Sequence, residues 1–389
     1  MERDQAIRFI HELLRKMVEV KGSDLFLTAG FPPAIKVDGR VKPVNDQPLT
    51  PQQSATLVRS IMNDRQTKEF DASKECNFAI SPPRIGRFRV SAFIQQGHSG
   101  AVMRTINTKI PTFEELELPP VLKDVAMTKR GLVLVVGGTG SGKSTTLAAM
   151  VGYRNDNSKG HIITIEDPVE YVHTHKNCVV TQREIGIDTE GWHVALKNTL
   201  RQAPDVILIG EIRDRETMEY GIQFAETGHL CLATLHANNA NQALDRVINF
   251  FPEDKRDQLL MDMSLNIKGI IAQRLLPRAG GVGRIAAMEV MLASPLISDL
   301  IFKGEVHQIK EVMARSNRLG MKTFDQALFD LFEEGKISYE DALRNADSRN
   351  ELRLRIKLES KRDFKARDDG SDSLRLAEES KSQNYGRDT

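Results

Sequence analysis

The 389-residue chain holds three cysteines, one tryptophan and a net charge of only +1. Cys76, Cys178 and Cys231 are odd in number and far apart, with no C-x-x-C pair, which argues against a disulfide frame or a thiolate zinc site. Each reads as a small buried hydrophobe. Lys and Arg total 54 against 53 Asp and Glu, so there is no bulk charge to favour nucleic acid or an anionic membrane, and no basic stripe with interleaved aromatics for DNA. No apolar run reaches the ~18 residues of a membrane span. Residues 1–20 are charged and amphipathic, unlike a signal peptide. The expected location is the cytoplasm.

The chain does have a globular balance of 40% hydrophobic and 28% charged residues, at a length that suits two or three domains. Ile7, Ile10, Leu13, Leu14, Met17 and Val18 recur at helical spacing, which predicts an amphipathic first helix ending near Lys21 and Gly22. Short β-rich runs follow at 24–27, 34–37, 76–80, 88–94 and 100–106, with a further helix over 51–64. That is an α+β domain over residues 1–107. Residues 108–120, with Pro111, Pro119 and Pro120 among glutamates, form a linker.

From residue 121 apolar strand, turn and helix alternate, the signature of a parallel sheet covered on both faces. Strands are expected at 131–136, 161–166, 206–210, 230–235 and 284–292, with helices starting near Lys143, Gly191, Arg215 and Asn241 and a longer helix over 255–276. This core spans 121–293, and a helical region covers 294–358. Thr323 with Gln326 and Ser338 with Asp341 mark two helix starts there. Residues 359–389 are polar with balanced charge and are expected to be disordered.

The richest stretch is 131–146, GLVLVVGGTGSGKSTT. A buried strand runs into Gly137, Gly138, Thr139, Gly140, Ser141, Gly142, Lys143 and Ser144, followed by Thr145 on the next helix. These residues fill the G-x-x-x-x-G-K-[ST] template, whose amides curl around phosphate oxygens. Lys143 would reach the β- and γ-phosphates and Ser144 would ligate Mg²⁺. The expected ligands are ATP and Mg²⁺.

Phosphoryl transfer also needs an oriented water and charge compensation. Glu211 ends the strand 206–210, and a carboxylate at the tip of the strand beside the phosphate loop can polarise the attacking water. Capping the next helix is the other reading. Glu166, Asp167 and Glu170 end a second strand at the same sheet edge, where ligands gather. Asp167, before Pro168, can instead make a turn. His236 closes the strand 230–235 and is placed to sense the γ-phosphate. His229 opens that strand, and a subunit contact is its alternative. Arg87, Arg89 and Arg104 on the last strands of the first domain, and Arg201 before the Glu211 strand, are candidate cations for the phosphates.

Four segments carry a resemblance: GGTGSGKSTT at 137–146, ITIEDPVEY at 163–171, LRQAPDVILIGEIRD at 200–214 and TGHLCLATLHANNA at 227–240. Together they resemble the secretion ATPase superfamily, and within it the type IV pilus retraction ATPases. In family terms they are the Walker A motif, the acidic box, the Walker B motif with catalytic Glu211, and the histidine box with His229 and His236. The resemblance implies a PAS-like N-terminal domain joined to a RecA-like ATPase domain and a homo-hexameric ring. It also implies that Arg89 and Arg104 approach the phosphates. Its implied partners are the principal retraction ATPase and an inner-membrane platform protein, at the cytoplasmic face of the inner membrane at the pilus base.

Two departures point to an accessory branch. Principal motors carry Ala-Ile-Arg-Asn-Leu-Ile-Arg-Glu where this chain has LISDLIFK at 296–303, with Ser298 and Phe302 in place of both arginines. Lys197 stands where relatives often have Arg, and it cannot make the bidentate phosphate contact. No tetracysteine insertion follows Leu275, Leu276 and Pro277.

Overall fold

The computed structural model describes residues 2–37, 39–106 and 109–362. The first unit opens with α1 (Arg3–Glu19), whose Ala6, Ile10, Leu13, Leu14 and Met17 form one buried stripe. Strands β1 (Asp24–Leu27), β2 (Ala34–Val37) and β3 (Arg40–Pro43) lead to α2 (Pro51–Ser60) and α3 (Asp64–Ser73). Then come β4 (Glu75–Ile80), β5 (Arg87–Gln95) and β6 (His98–Ile106), giving an antiparallel sheet of order β3-β2-β1-β6-β5-β4. The stripe of α1 packs on α2 and β1, and with Phe70, Phe78, Phe88 and Val90 it closes a separate core. The helix expected over 51–64 ends at Ser60, and a second, unexpected helix, α3, starts at Asp64, where Asn63 caps it by accepting from the Gln66 amide.

Two short helices, α4 (Phe113–Leu116) and α5 (Val121–Met127), cross to the second unit. There β7 (Gly131–Val136), α6 (Lys143–Asn157), β8 (Gly160–Glu166), β9 (Cys178–Glu184), α7 (Trp192–Thr199) and β10 (Val206–Ile209) follow in turn. They continue through α8 (Arg215–Glu226), β11 (Leu230–Leu235), α9 (Ala240–Asn249), α10 (Arg256–Asn266), β12 (Ile267–Pro277) and β13 (Arg284–Leu292). The sheet order is β13-β12-β7-β11-β10-β8-β9, parallel except for β13. Every residue of β7 and β11 is buried. Leu132, Leu134 and Val136 face one helical layer while Val133 and Val135 face α5 and α6 on the other, which is why these strands are apolar without alternation.

The helix expected over 255–276 is a correction: α10 stops at Asn266 and β12 begins at Ile267. Leu259, Met263, Ile267, Ile270 and Ile271 fit a helical spacing, yet β-branched Ile267, Ile270 and Ile271 around Gly269 disfavour helix. Strand pairing with β7 on one side and β13 on the other wins. The edge strand β9 has polar residues at its carboxyl end and no clear alternation in the sequence.

The helical region comprises α11 (Pro295–Phe302), α12 (Ile309–Arg315), α13 (Phe324–Glu333), α14 (Tyr339–Asn345) and α15 (Arg349–Glu359), packed on the β13 side. Thr323 makes the expected capping box with Gln326, and Ser338 accepts from the Asp341 amide. Arg362 lies 4.6 Å from the Phe332 ring centroid. The tail expected from 359 lies, over 363–389, outside the described residues. Among the described residues no helix is long and apolar enough to cross a membrane.

Candidate nucleotide site

The phosphate loop joins the carboxyl end of β7 to the first turn of α6. Its curvature needs glycine at two places. Gly137 has φ +157°, and a Cβ there would lie 2.4 Å from Ser141 Oγ and 2.6 Å from the Gln273 carbonyl oxygen. Gly142 has φ +89°, and its Cβ would lie 2.8 Å from Gln273 Nε2. Gln273 of β12, which no motif or spacing in the chain singles out, thus backs the loop, and it accepts from Thr146 Oγ1 at 2.7 Å.

Lys143 Nζ donates to the carbonyls of Gly137 at 2.8 Å and Gly138 at 3.0 Å. Burial lowers its ammonium pKa, and the Glu211 carboxylate partly offsets this. Ser144 lies beside it in a cavity of about 280 Å³ that is also lined by Glu166, Asp167, Glu211 and His236. Thr145 Oγ1 and Tyr171 Oη are 3.0 Å apart, which fastens the acidic segment to α6.

Glu211 extends from the end of β10. Its Oε2 accepts from Arg213 Nη2 at 2.7 Å and Nε at 2.8 Å, while His236 Nε2 lies 2.8 Å from Oε1. The strand order corrects the expected neighbourhood: β10 is not beside β7, because β11 lies between them. His236, at the carboxyl end of β11, therefore sits between the phosphate loop and Glu211. Arg213 went unnoticed in the sequence because nothing in its spacing distinguishes it from a solvated arginine.

Glu166 accepts from Thr164 Oγ1 at 2.6 Å and from Gln182 Nε2 at 3.3 Å. Burial pushes its carboxyl up to about 7, against those hydrogen bonds, with the Glu170 charge adding to the rise. Asp167 precedes Pro168, and the chain turns there through a cis peptide.

Other candidate residues stand apart from this cluster. His229 lies at the amino end of β11, its Nδ1 3.0 Å from Thr227 Oγ1 and its carbonyl bonded to the Gly131 amide. Arg201 occupies a 3-10 turn at that same edge, where the neighbouring Gln202 carbonyl meets His161 Nδ1 at 2.9 Å. The sheet's length separates both from the phosphate loop of their own chain. Arg104 is paired through Nε with Asp24 at 2.8 Å, and the charges of Arg89 and Arg87 act on Glu184 of β9.

The donors around Ser144 are hydroxyl and carboxylate oxygens, which suit Mg²⁺. Among the described residues no group of three or more His, Cys, Asp or Glu forms a cage of its own. A site with one or two protein oxygens fits a Mg²⁺ that takes its remaining ligands from water and phosphate.

A phosphate loop that shares its cavity with a glutamate two strands over, with a third strand wedged between, places the chain among RecA-like P-loop ATPases. It belongs to the Type II/IV secretion system protein family, whose model matches residues 2–344. It is 62% identical over 352 residues to the type IV pilus ATPase PilU of Pseudomonas aeruginosa, covering 90% of this chain and 92% of that one. Identity to the type IV pilus retractation ATPase PilT of the same organism is 45%, over 87% and 98% of the two chains. The crystal structure of the pilus retraction motor PilT with bound ADP superposes with a TM-score of 0.83 at 40% identity, covering 89% of this chain and 99% of that chain.

Proposed function

We propose that the chain hydrolyses Mg·ATP to power or assist retraction of type IV pili, as an accessory motor in a homo-hexameric ring. The observation that carries this is the convergence of Lys143, Ser144, Glu211 and His236 on one cavity, in a chain with these pilus ATPases as relatives.

On entry of the triphosphate, Lys143 exchanges the carbonyls of Gly137 and Gly138 for phosphate oxygens, and the loop amides take the rest. The cavity beside Gly142, Thr145, Thr146, Leu275 and Arg278, of about 280 Å³, takes the base and ribose. Mg²⁺, when bound beside Ser144, supplies charge neutralisation across the β- and γ-phosphates. Glu211 orients and polarises the attacking water, and His236, touching Glu211, reports whether the γ-phosphate is present. Arg89 and Arg104 act on the phosphates from the first domain, for which Arg104 must leave Asp24. His229 and Arg201, at the far sheet edge, serve contacts between subunits. Differential contacts to the γ-phosphate bias the position of the first domain, and hydrolysis releases that bias. The ring works on an inner-membrane platform protein at the cytoplasmic face, with a PilT-type motor as partner.

A second reading is a nucleotide-gated adaptor acting mainly through that motor. It is favoured by α11, where Ser298 and Phe302 replace two arginines and Phe302 is 56% exposed. The ATPase rate of the isolated ring separates the two, a motor-like rate defeating the adaptor. In a piliated host, gene deletion and the Lys143→Ala variant should both change twitching and surface pili. Normal twitching in both would defeat the retraction reading.

A further inference from the structure

Among the described residues three charged side chains outside the phosphate site bury a polar atom without a hydrogen-bond partner: Arg256 at the start of α10, and a pair of opposite charge with one member in each domain. Glu184 ends β9 and is 1% exposed; its Oε2 accepts from the Val169 amide at 3.2 Å, but Oε1 has no hydrogen bond. Arg87 opens β5 of the first domain, and its Nε is likewise buried and unpartnered. A native structure normally pairs such groups, so two opposite orphans call for an account.

The two are electrostatic neighbours. Burial pushes the Glu184 carboxyl up, and the Val169 amide, then the charges of Arg89 and Arg87, pull against it, while Asp188 adds to the rise. Arg87 and Arg89 are two residues apart on β5 and so share a face. Neither is in ion-pair contact with Glu184 among the described residues. Glu184 also has a line to the phosphate site: it is in register with Glu166 across β8 and β9, and it holds Val169 in the segment that lines the cavity.

We propose that Glu184 is the docking point for Arg87 of β5, and that the two form an ion pair when the first domain closes over a bound nucleoside triphosphate, leaving Arg89 to the phosphates. The pairing satisfies both orphans at once and ties the position of the first domain to the 166–171 segment. Glu184 and Arg87 are positioning residues in this scheme. The inference rests on the ATP reading above, since closure is driven by the triphosphate.

The test is titration of the full chain, in Mg²⁺, with a non-hydrolysable ATP analogue and with ADP, for wild type, Glu184→Gln, Arg87→Gln, Arg87→Lys and the Gln/Gln double variant. Each Gln variant should weaken analogue binding about tenfold and leave ADP binding within about twofold of wild type. The double variant should be no weaker than the worse single one, because both remove one interaction. Arg87→Lys, which keeps the charge, should recover part of the loss. Unchanged analogue binding, equal losses for ADP, or additive losses would overturn the latch. If wild type itself bound no analogue, the ATP reading would fall with it. Should Glu184→Gln not fold, the comparison of Arg87→Gln with Arg87→Lys decides, equal binding in the two counting against the proposal.

Discussion

Glu211 reaches across to the neighbouring strand, its Oε1 2.8 Å from His236 Nε2, while Arg213 holds its other oxygen. The carboxylate is thus fixed in direction before any substrate enters, and a change felt by His236 is felt by Glu211. Such preorganisation is what general-base catalysis requires.

Glu211→Gln keeps the shape and loses the base. Turnover in a coupled ATPase assay should fall about 10²- to 10⁴-fold, with binding of a non-hydrolysable analogue retained. Undiminished turnover would remove Glu211 from the chemistry.

Among the described residues the hydrogen bonds of Lys143 go to loop carbonyls, so Lys143→Ala should fold normally and lose the triphosphate. Wild type should gain melting temperature with Mg·ATP by mass action. The variant should show no gain, and an equal gain in both would contradict the assigned contact.

Adding a methyl at Gly137 places it against Ser141 Oγ and the Gln273 backbone, at a φ that side chains rarely adopt. Gly137→Ala should therefore distort the loop, costing about 1–3 kcal/mol of stability, and abolish nucleotide binding. Retained binding would show that the loop has another way to close.

The carboxyl of Glu166, pushed up to about 7 by burial, gives a pH prediction with a definite sign. The folded chain keeps a proton that the unfolded chain has already lost. Stability attributable to this group therefore falls as pH rises from about 4.5 to 7, then levels off. Glu166→Gln is neutral throughout, so it should gain on wild type with rising pH, by up to about 3 kcal/mol near pH 8. Denaturant melts at pH 5 and pH 8 measure this, and a pH-independent difference would contradict it.

The three cysteines are buried, and burial raises each thiol pKa. A thiol reagent should label none in the native chain and all three in denaturant. Rapid labelling of native protein would show an open route to one of them.

Much of the site was legible because its parts are local. The glycines, Lys143 and Ser144 are consecutive, and Glu211 and His236 each follow an apolar strand that marks its own end. Arg213, Gln273, Tyr171 and Gln182 were not legible, since their partners lie on other elements or, for Arg213, depend on side-chain direction. The run 255–276 misled because one spacing fitted a helix until strand partners existed on both sides.

By itself the sequence determined the phosphate loop, the alternation of strand and helix, and the helix starts at Thr323 and Ser338, because backbone freedom, burial on both faces and capping act within a few residues. Tertiary structure decided that β11 stands between the phosphate loop and the Glu211 strand, that His229 and Arg201 fall at the far edge, and that Glu184 lies within the electrostatic reach of the arginines of β5. Those relations arise from which strands pair and how two domains meet, and pairing between distant segments leaves no period in the chain.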